Sequence, residues 1–207
     1  MTSTTFTAAA QPCGVPAAAR PDCAADDAIA MPGAGDAAPS PALSALAAAC
    51  TAQARIDTPL GGMLLARTAQ GLAGAWFDAQ RWHPGRLAAP LAPGDNLLVE
   101  AARQLREYFG GTRSAFALPL DLRGTPFRRA VWRRLCDIAS GATTTYGAVA
   151  RDLGAPRAVR AVGAAVGRNP LSVIVPCHRV LGAGGAPTGY AGGLQRKALL
   201  LALEGAG

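Results

Sequence analysis

The stretch VIVPCHRVLG, residues 173–182, sets a thiol, an imidazole and a guanidinium side by side directly after an apolar run. Residues 171–175 are apolar except for one serine, and they predict a buried strand or extended segment that Pro176 stops from pairing further. Cys177 then follows the end of a regular element, which is a common position for functional groups. The pattern marks Cys177 as a candidate nucleophile.

The neighbouring residues indicate how such a thiol could be activated. On an extended chain adjacent side chains point to opposite sides, so His178 is expected to take the proton of Cys177 through a water. A histidine in that role needs an acid on its other nitrogen, and Glu204, the only Glu after position 120, ends an amphipathic helical stretch. Tyr190, among the glycines of TGYAGGLQRK, could help shape a pocket for a flat ring. The alternatives are an inert buried thiol and an ordinary core tyrosine.

The first half of the chain predicts a tail and a small domain. Residues 1–50 hold eighteen Ala and six Pro with almost no large apolar side chains, and are predicted to be a disordered extension, although SALAAAC could form a helical turn. ARIDTPLGGMLLARTAQGLAGAWF predicts an antiparallel meander of three strands. NLLVEAARQLREYFGG predicts a helix capped by Asp95 or Asn96 and ended by Gly110. Residues 51–118 therefore form an α/β domain with an antiparallel sheet and no visible catalytic constellation.

The second half, residues 119–207, predicts a helical domain, so the chain as a whole is expected to be a two-domain α+β protein. Thr125 and Pro126 are suited to begin a helix that runs to about Ser140. The following TTTYGAVARDLGAPRAVRAVGAAVGRNP predicts two short helices with the spacing of a helix-turn-helix.

Charge and side-chain chemistry point this half towards DNA. Residues 120–207 carry twelve basic groups against four acidic ones, and eleven of the twelve are Arg, which suits contacts with phosphate. The second helix of the motif, residues 157–166, has only Arg157 and Arg160 beside Ala, Val and Gly. It lacks the amides and hydroxyls that read base edges. It is either a helix that binds DNA by shape and charge or a buried packing helix.

Cysteine spacing and the absence of targeting patterns restrict the compartment. The five cysteines form no C-x-x-C pair, and they stand at positions 13, 23, 50, 136 and 177. The N-terminus lacks the pattern of a signal peptide, and no apolar run approaches the ~18 residues that span a bilayer. We expect a cytoplasmic protein with no membrane segment.

VPCHRVLG, together with TPFRRAVW, RAVGAAVGRNP and TGYAGGLQRK, closely resembles the O6-alkylguanine-DNA alkyltransferases, particularly the bacterial constitutive type, over about residues 55–205. The resemblance implies a ribonuclease H-like N-terminal domain and a winged-helix-like helix-turn-helix domain. It also implies direct-reversal DNA repair without a cofactor. An alkyl group passes irreversibly from O6-alkylguanine, or from O4-methylthymine, to the protein's own cysteine, so that each molecule acts once.

The resemblance also implies roles for single residues. Cys177 would be the acceptor, His178 and Glu204 would activate it through a water, Asn169 would brace the site, and Tyr190 would support the departing guanine at N3. The backbone that would line the guanine pocket belongs to Cys177, Val180 and Ala191.

The implied DNA contacts fall mainly on the helix-turn-helix. Arg160 would fill the place of a flipped nucleotide, Tyr146 would push on the flanking phosphate, and Arg157 and Arg168 would add DNA contacts. Ser172 lies where some relatives have a proline that walls the pocket. The partner would be duplex DNA, bound in the minor groove without sequence preference by a monomer.

Two further expectations complete this interpretation. His83 and His178 are the only histidines, so no zinc or other metal is expected. The competing functions are a non-catalytic protein that flags alkylated DNA and a Cys-His hydrolase, the latter disfavoured because no oxyanion-hole motif accompanies the thiol.

Overall fold

A three-stranded sheet and two helices build the N-terminal part of the computed structural model, which describes residues 41–206. These elements are α1 (Pro41–Ala49), β1 (Ala52–Thr58), β2 (Gly61–Arg67), β3 (Leu72–Phe77) and α2 (Asn96–Phe109). The strands pair antiparallel in the order β1-β2-β3, which confirms the meander. The Asp95 carboxylate accepts the N–H groups of Leu97 and Leu98 and so begins α2, and Gly110 ends the helix as expected.

Helix α1 contradicts part of the predicted disorder. Residues 1–40 lie outside the described residues, but residues 41–49 form a regular helix. Leu46 and Cys50 are buried against Leu64 and Trp76, on the face of the sheet opposite α2. The prediction missed most of this helix because it assumed that an Ala-rich segment buries too little apolar surface to be ordered. Here a few apolar side chains are enough to cover one face of a small sheet.

The C-terminal part is mainly helical and contains the predicted helix-turn-helix. Its elements are α3 (Pro126–Cys136), β4 (Thr144–Thr145), α4 (Tyr146–Asp152), α5 (Val159–Gly167), a 3₁₀ turn (Cys177–Arg179), β5 (Val180–Leu181) and α6 (Leu194–Leu203). Thr125 caps α3 as expected, although the helix ends before Ser140. Helix α5 packs on α3, where the Trp132 indole donates to the Ala165 carbonyl oxygen at 2.8 Å. The molecule is thus a two-domain α+β protein.

The free edge of β3 joins the two parts. The Ala75 N–H donates to the Pro170 carbonyl oxygen, and the Ser172 N–H donates to the Ala75 carbonyl oxygen, each at 2.9 Å. One apolar core runs through both parts and includes Phe77 of β3 as well as Ile174 of the C-terminal part. The segment that leads to Cys177 is therefore held by the sheet of the other domain.

No helix within residues 41–206 has the length and apolar character that crossing a membrane requires.

Candidate active site

The segment before Cys177 is a buried turn and not the strand or extended segment that its apolar residues predicted. The Val175 N–H donates to the Leu171 carbonyl oxygen at 2.9 Å, and Val173 has φ +73°, which a strand would not contain. The Cys177 N–H then donates to the Val175 carbonyl oxygen at 2.8 Å, which closes a γ-turn at Pro176. The chain enters the 3₁₀ turn directly afterwards. This path leaves Cys177 buried, with 3% of its surface exposed.

Asn169 holds this turn together and reaches the sulfur. Its Oδ1 accepts the Leu171 N–H at 2.9 Å, and its Nδ2 donates to the Val175 carbonyl oxygen at 2.8 Å. The same Nδ2 lies 3.1 Å from Sγ of Cys177. A buried N–H group aimed at a sulfur stabilises the thiolate relative to the thiol. The position agrees with the bracing role that the resemblance implies.

His178 and Glu204 form a buried pair behind the cysteine. The imidazole Nε2 lies 3.0 Å from Oε1 of Glu204, and their side chains are 0% and 1% exposed. Arg179 also donates to this carboxylate, with Nε at 2.9 Å and Nη2 at 2.7 Å. With Nε2–H donated to the carboxylate, Nδ1 is the basic nitrogen of the neutral ring. Nδ1 is buried and has no hydrogen-bond partner among the described residues.

A water between the thiol and the imidazole is still expected, but for a different reason from the one argued from the sequence. Cys177 and His178 stand in a 3₁₀ turn, so the alternation of an extended chain does not apply to them. The absence of a direct bond between Nδ1 and Sγ nevertheless holds in the part of the chain described. A bridging water would satisfy the unpaired Nδ1.

Burial and charge set the resting protonation states of the site. Burial raises the pKa of the Cys177 thiol to about 11, against the opposing effects of the Asn169 hydrogen bond and the Lys197 charge. Burial also raises the pKa of Glu204, but hydrogen bonds from His178 and Arg179 outweigh it and hold that pKa well below its usual range. Burial lowers the pKa of His178, which Glu204 partly offsets. At neutral pH the site therefore holds a thiol, a neutral imidazole and a carboxylate, and the imidazole is free to accept a proton.

Tyr190 and Ser172 form a second group beside the thiol. The Tyr190 hydroxyl is buried and makes no hydrogen bond of normal length and angle with the described residues. Its burial raises the pKa of Tyr190 well above the usual value. The Ser172 hydroxyl donates to Oε1 of Gln80 at 3.0 Å, and that oxygen also accepts the Phe77 N–H at 2.8 Å. Gln80 comes from the N-terminal domain, and no motif or pattern in the sequence marks it. Its own Nε2 is buried without a partner among the described residues.

Lys197 organises the loop that carries Tyr190 and was also missed. Its Nζ is buried and donates to the carbonyl oxygens of Val180 at 2.5 Å and Thr188 at 2.9 Å. The carbonyl of Val180, expected to line the guanine pocket, thus already has a donor. Ala191 is fixed in another way, because its carbonyl oxygen accepts the Arg81 N–H at 2.9 Å. The one feature of the sequence that could have drawn attention to Lys197 is that it is the single Lys of an Arg-rich chain.

The residues expected to bind DNA lie apart from this cluster. Helix α5 begins at Val159 and not at Arg157 as predicted, so Arg157 lies just before the helix and Arg160 in its first turn; both are exposed. The Tyr146 hydroxyl donates to the Thr188 carbonyl oxygen at 2.8 Å, which ties the helix-turn-helix to the active-site loop. Arg168 differs, since its guanidinium lies 4.7 Å from the ring centre of Trp82 in the N-terminal domain. The buried face of α5 is made by Val162, Ala165 and Val166. The helix therefore packs on one face and leaves its arginines to solvent.

No group of His, Cys, Asp and Glu side chains within residues 41–206 is arranged to hold a metal ion.

Comparison with known proteins gives one answer for both domains. The family model of the 6-O-methylguanine DNA methyltransferase ribonuclease-like domain matches residues 53–122, and that of the DNA binding domain matches residues 126–206. The methylated-DNA–protein-cysteine methyltransferase of Mycobacterium leprae is 45% identical over 72% of this chain and 89% of its own length. That of Methanosarcina barkeri is 44% identical over 72% and 94%. A crystal structure of Mycobacterium tuberculosis OGT in complex with DNA superposes with a TM-score of 0.70 at 43% identity, over 75% of this chain and 93% of that one.

Proposed function

Because the chain belongs to the 6-O-methylguanine DNA methyltransferase family and repairs DNA by alkyl transfer to cysteine, we propose that Cys177 is the residue that takes up the alkyl group. The observation that carries this proposal is the buried sulfur of Cys177 next to a carboxylate–imidazole pair whose basic nitrogen has no protein partner among the described residues. Cys50 is engaged elsewhere, because its thiol donates to the Leu46 carbonyl oxygen at 3.3 Å.

The transfer is a displacement at the alkyl carbon. Nδ1 of His178 takes the thiol proton through a water, and Glu204 stabilises the imidazolium that forms. Sγ of Cys177 then bonds to the alkyl carbon while the bond from that carbon to O6 breaks and its electron pair stays on the guanine. The guanine gains one proton, with Tyr190 as the donor nearest N3, and the proton on His178 replaces it. The balance is thiol plus O6-alkylguanine in, and thioether plus guanine out.

The product explains why each molecule acts once. A thioether sulfur on Cys177 has no proton to lose and no leaving group that water displaces readily. The protein is therefore consumed with its lesion, and the same chemistry would accept the methyl group of O4-methylthymine.

The DNA must deform for this reaction, because a protein thiol cannot reach O6 inside the base stack. We propose that α5 enters the minor groove of duplex DNA, with Arg160 filling the place of the flipped nucleotide and Tyr146 beside its flanking phosphate. Exposed Arg157 and Arg160 next to small side chains support such a close approach. Arg168 acts from the edge of this face. A surface without amides or hydroxyls for base edges makes binding independent of sequence.

The remaining proposals concern the whole chain. We place the domains at residues 51–118 and 119–207, close to the spans of the two family models. The protein acts as a monomer in the cytoplasm and needs no metal or other cofactor.

The test is mass spectrometry of intact and digested protein after exposure to duplex DNA that contains O6-methylguanine. We expect one methyl group per molecule, located on Cys177, and no transfer by the Cys177→Ser variant. Unchanged mass with tight binding would favour a lesion-flagging protein. Repeated turnover with release of methanol would favour a hydrolase, and either result would overturn the proposal.

A further inference from the structure

Tyr108 is a buried tyrosine that comes from the ribonuclease-like domain and ends in the reaction centre of the other domain. It lies near the end of α2 and is 2% exposed. Its ring packs against those of Phe109 and Phe116, with 5.4 Å between ring centres in both pairs. Its hydroxyl donates to Oε1 of Glu204 at 2.6 Å. A position 96 residues away in the chain thus supplies a hydrogen bond to the Glu204 carboxylate that supports His178.

The two oxygens of the Glu204 carboxylate accept different numbers of hydrogen bonds. Oε2 accepts from Nε of Arg179, whereas Oε1 accepts from Tyr108, from Nη2 of Arg179 and from His178. Tyr108 and His178 therefore share one oxygen. Because this side chain is 1% exposed, bulk water does not replace a missing donor readily.

We propose that Tyr108 is a positioning residue for alkyl transfer, which fixes the Glu204 carboxylate behind His178 and limits how strongly that carboxylate attracts a proton. The inference rests on the proposed function. It also gives the ribonuclease-like domain a part in the chemistry, through one hydroxyl group.

The sign of the effect follows from the groups that surround the pair. Glu204 is faced by Tyr108 from α2 and by His178 and Arg179 from the 3₁₀ turn, and His178 is also close to the charge of Lys197 from α6. Tyr108 is the donor of this set that stays uncharged when His178 takes up the thiol proton. Removal of its hydroxyl leaves more negative charge on Oε1, which raises the proton affinity of Glu204 and also that of His178. Transfer requires Glu204 ionised and His178 neutral, so both changes move the acid side of the rate profile to higher pH.

Tyr108→Phe is the direct test, because it removes the hydroxyl and keeps the ring in place. The measurement is the single-turnover rate of methyl transfer from O6-methylguanine duplex DNA at saturating protein, between about pH 5 and about pH 9, a range that spans the ordinary pKa of histidine. We expect the acid limb to move up by roughly half a pH unit or more, the size expected for removal of one hydrogen bond to a charged group. The rate on the alkaline plateau should change less than about threefold.

A second substitution should move the acid limb of the rate profile in the opposite direction. A ring-fluorinated tyrosine at position 108 keeps the hydroxyl but makes it a stronger donor, so the acid limb should move to lower pH. Phe116→Leu is the matched control, since it removes a ring packed on Tyr108 and leaves the bond to Glu204 in place. It should lower thermal stability without moving the acid limb.

Three outcomes would overturn the inference. The first is that Tyr108→Phe loses rate equally at every pH, and the second is that the acid limb stays in place in both variants at position 108. The third is that Tyr108→Phe shifts the acid limb by the same amount when Glu204 has already been replaced by Gln. Wild-type protein in the same assay separates the two levels of the proposal. If the wild type places no methyl group on Cys177, the proposed function fails. If it does and the limb does not move, only the role of Tyr108 fails.

Discussion

At the residue scale, the reactivity of Cys177 depends on how its thiol proton is removed. The residue is 3% exposed, and burial raises its pKa to about 11, so the free thiolate is scarce at neutral pH. Asn169 and Lys197 both favour the thiolate but do not outweigh burial. A thiol held in this state is protected from adventitious oxidation and alkylation, which require the thiolate. Proton transfer to His178 therefore has to accompany attack on the lesion.

Glu204→Gln should slow methyl transfer by roughly two orders of magnitude or more, the usual contribution of a supported general base. The amide keeps the shape of the side chain but cannot balance the imidazolium on His178, and it leaves Arg179 without its anion. The measurement is the single-turnover rate, with circular dichroism to confirm folding.

Glu100→Gln is the matched control for that variant. Glu100 is a partly exposed carboxylate on α2 that accepts hydrogen bonds from Arg103 and Gln104, and none of its hydrogen bonds reaches the Cys177 site. It should leave the rate unchanged within about twofold, since exposed ion pairs contribute little. Equal rates for Glu204→Gln and wild type would remove the relay from the mechanism.

Residues that contact the thiol locally could be found in the sequence, and residues that arrive from a distance could not. Cys177 and His178 are adjacent, and Asn169 lies on the same turn, so motif and resemblance together located them. Gln80 and Tyr108 belong to another domain and meet the site only through tertiary packing. A buried amide and a buried phenol look like ordinary core residues until their partners are known.

At the element scale, the turn before Cys177 shows how tertiary contacts override local preference. A run of β-branched residues favours a strand, and periodicity alone does not distinguish a buried strand from other buried segments. Here Asn169 satisfies the backbone of the turn, and the edge of β3 takes up Pro170 and Ser172. These contacts offset the cost of a positive φ at Val173, about 1–3 kcal/mol for a strained backbone.

Helix α5 gives a prediction about duplex DNA. Arg160→Ala should slow repair of O6-methylguanine in duplex DNA by about tenfold, because the vacated place in the stack is no longer filled and flipping costs a few kcal/mol. Its reaction with a free O6-alkylguanine base should stay within about twofold of the wild type, since no flipping occurs. The measurements are the two single-turnover rates.

Arg106→Ala is the control for Arg160→Ala, because it removes the same charge from an exposed position on α2. It should affect neither rate. Equal losses on duplex and free base in Arg160→Ala would show that Arg160 acts on the pocket and not on the DNA stack.

Helix α1 gives a prediction about stability alone. Leu46 is 3% exposed and lies against the sheet face that carries Leu64 and Trp76. Leu46→Ala should lower the free energy of unfolding by about 2–3 kcal/mol, as expected for a buried leucine near the edge of a core. Methyl transfer at a temperature well below the melting point should not change. Denaturant titration and the single-turnover rate measure the two effects, and a loss of rate in the folded variant would contradict the assignment.

At the scale of the whole molecule, the two domains share one core and one reaction centre. The β3 edge binds the segment that leads to Cys177, Arg81 binds the loop at Ala191, and Tyr108 reaches Glu204. Composition and periodicity predicted two domains with their element types, because the N-terminal half has short apolar runs separated by turn residues and the C-terminal half has apolar residues at helical spacing. They assigned the N-terminal domain no role in the chemistry, since that role depends on how the domains dock.

Charge is the other property of the whole molecule, and it leads to a prediction about binding. Residues 120–207 carry eight more basic than acidic groups, twelve against four, whereas the full chain has a net charge of +7. Binding of undamaged duplex DNA by such a surface releases counterions from the phosphates. A site that neutralises about four phosphates gives a slope of about −3.6 for log affinity against log salt concentration on B-form DNA.

We expect that slope to lie between about −3 and −5, and to become shallower by about one unit for each phosphate that is no longer neutralised, for example in Arg157→Ala. Fluorescence anisotropy with a labelled duplex at several salt concentrations measures it, and Arg106→Ala again provides a charge-matched control. Affinity should be the same within about threefold for unrelated duplex sequences, because α5 offers no side chain that reads base edges. A flat salt dependence, or a strong preference for one sequence, would mean that contacts other than phosphate neutralisation hold the DNA, and the proposed approach of α5 would then be wrong.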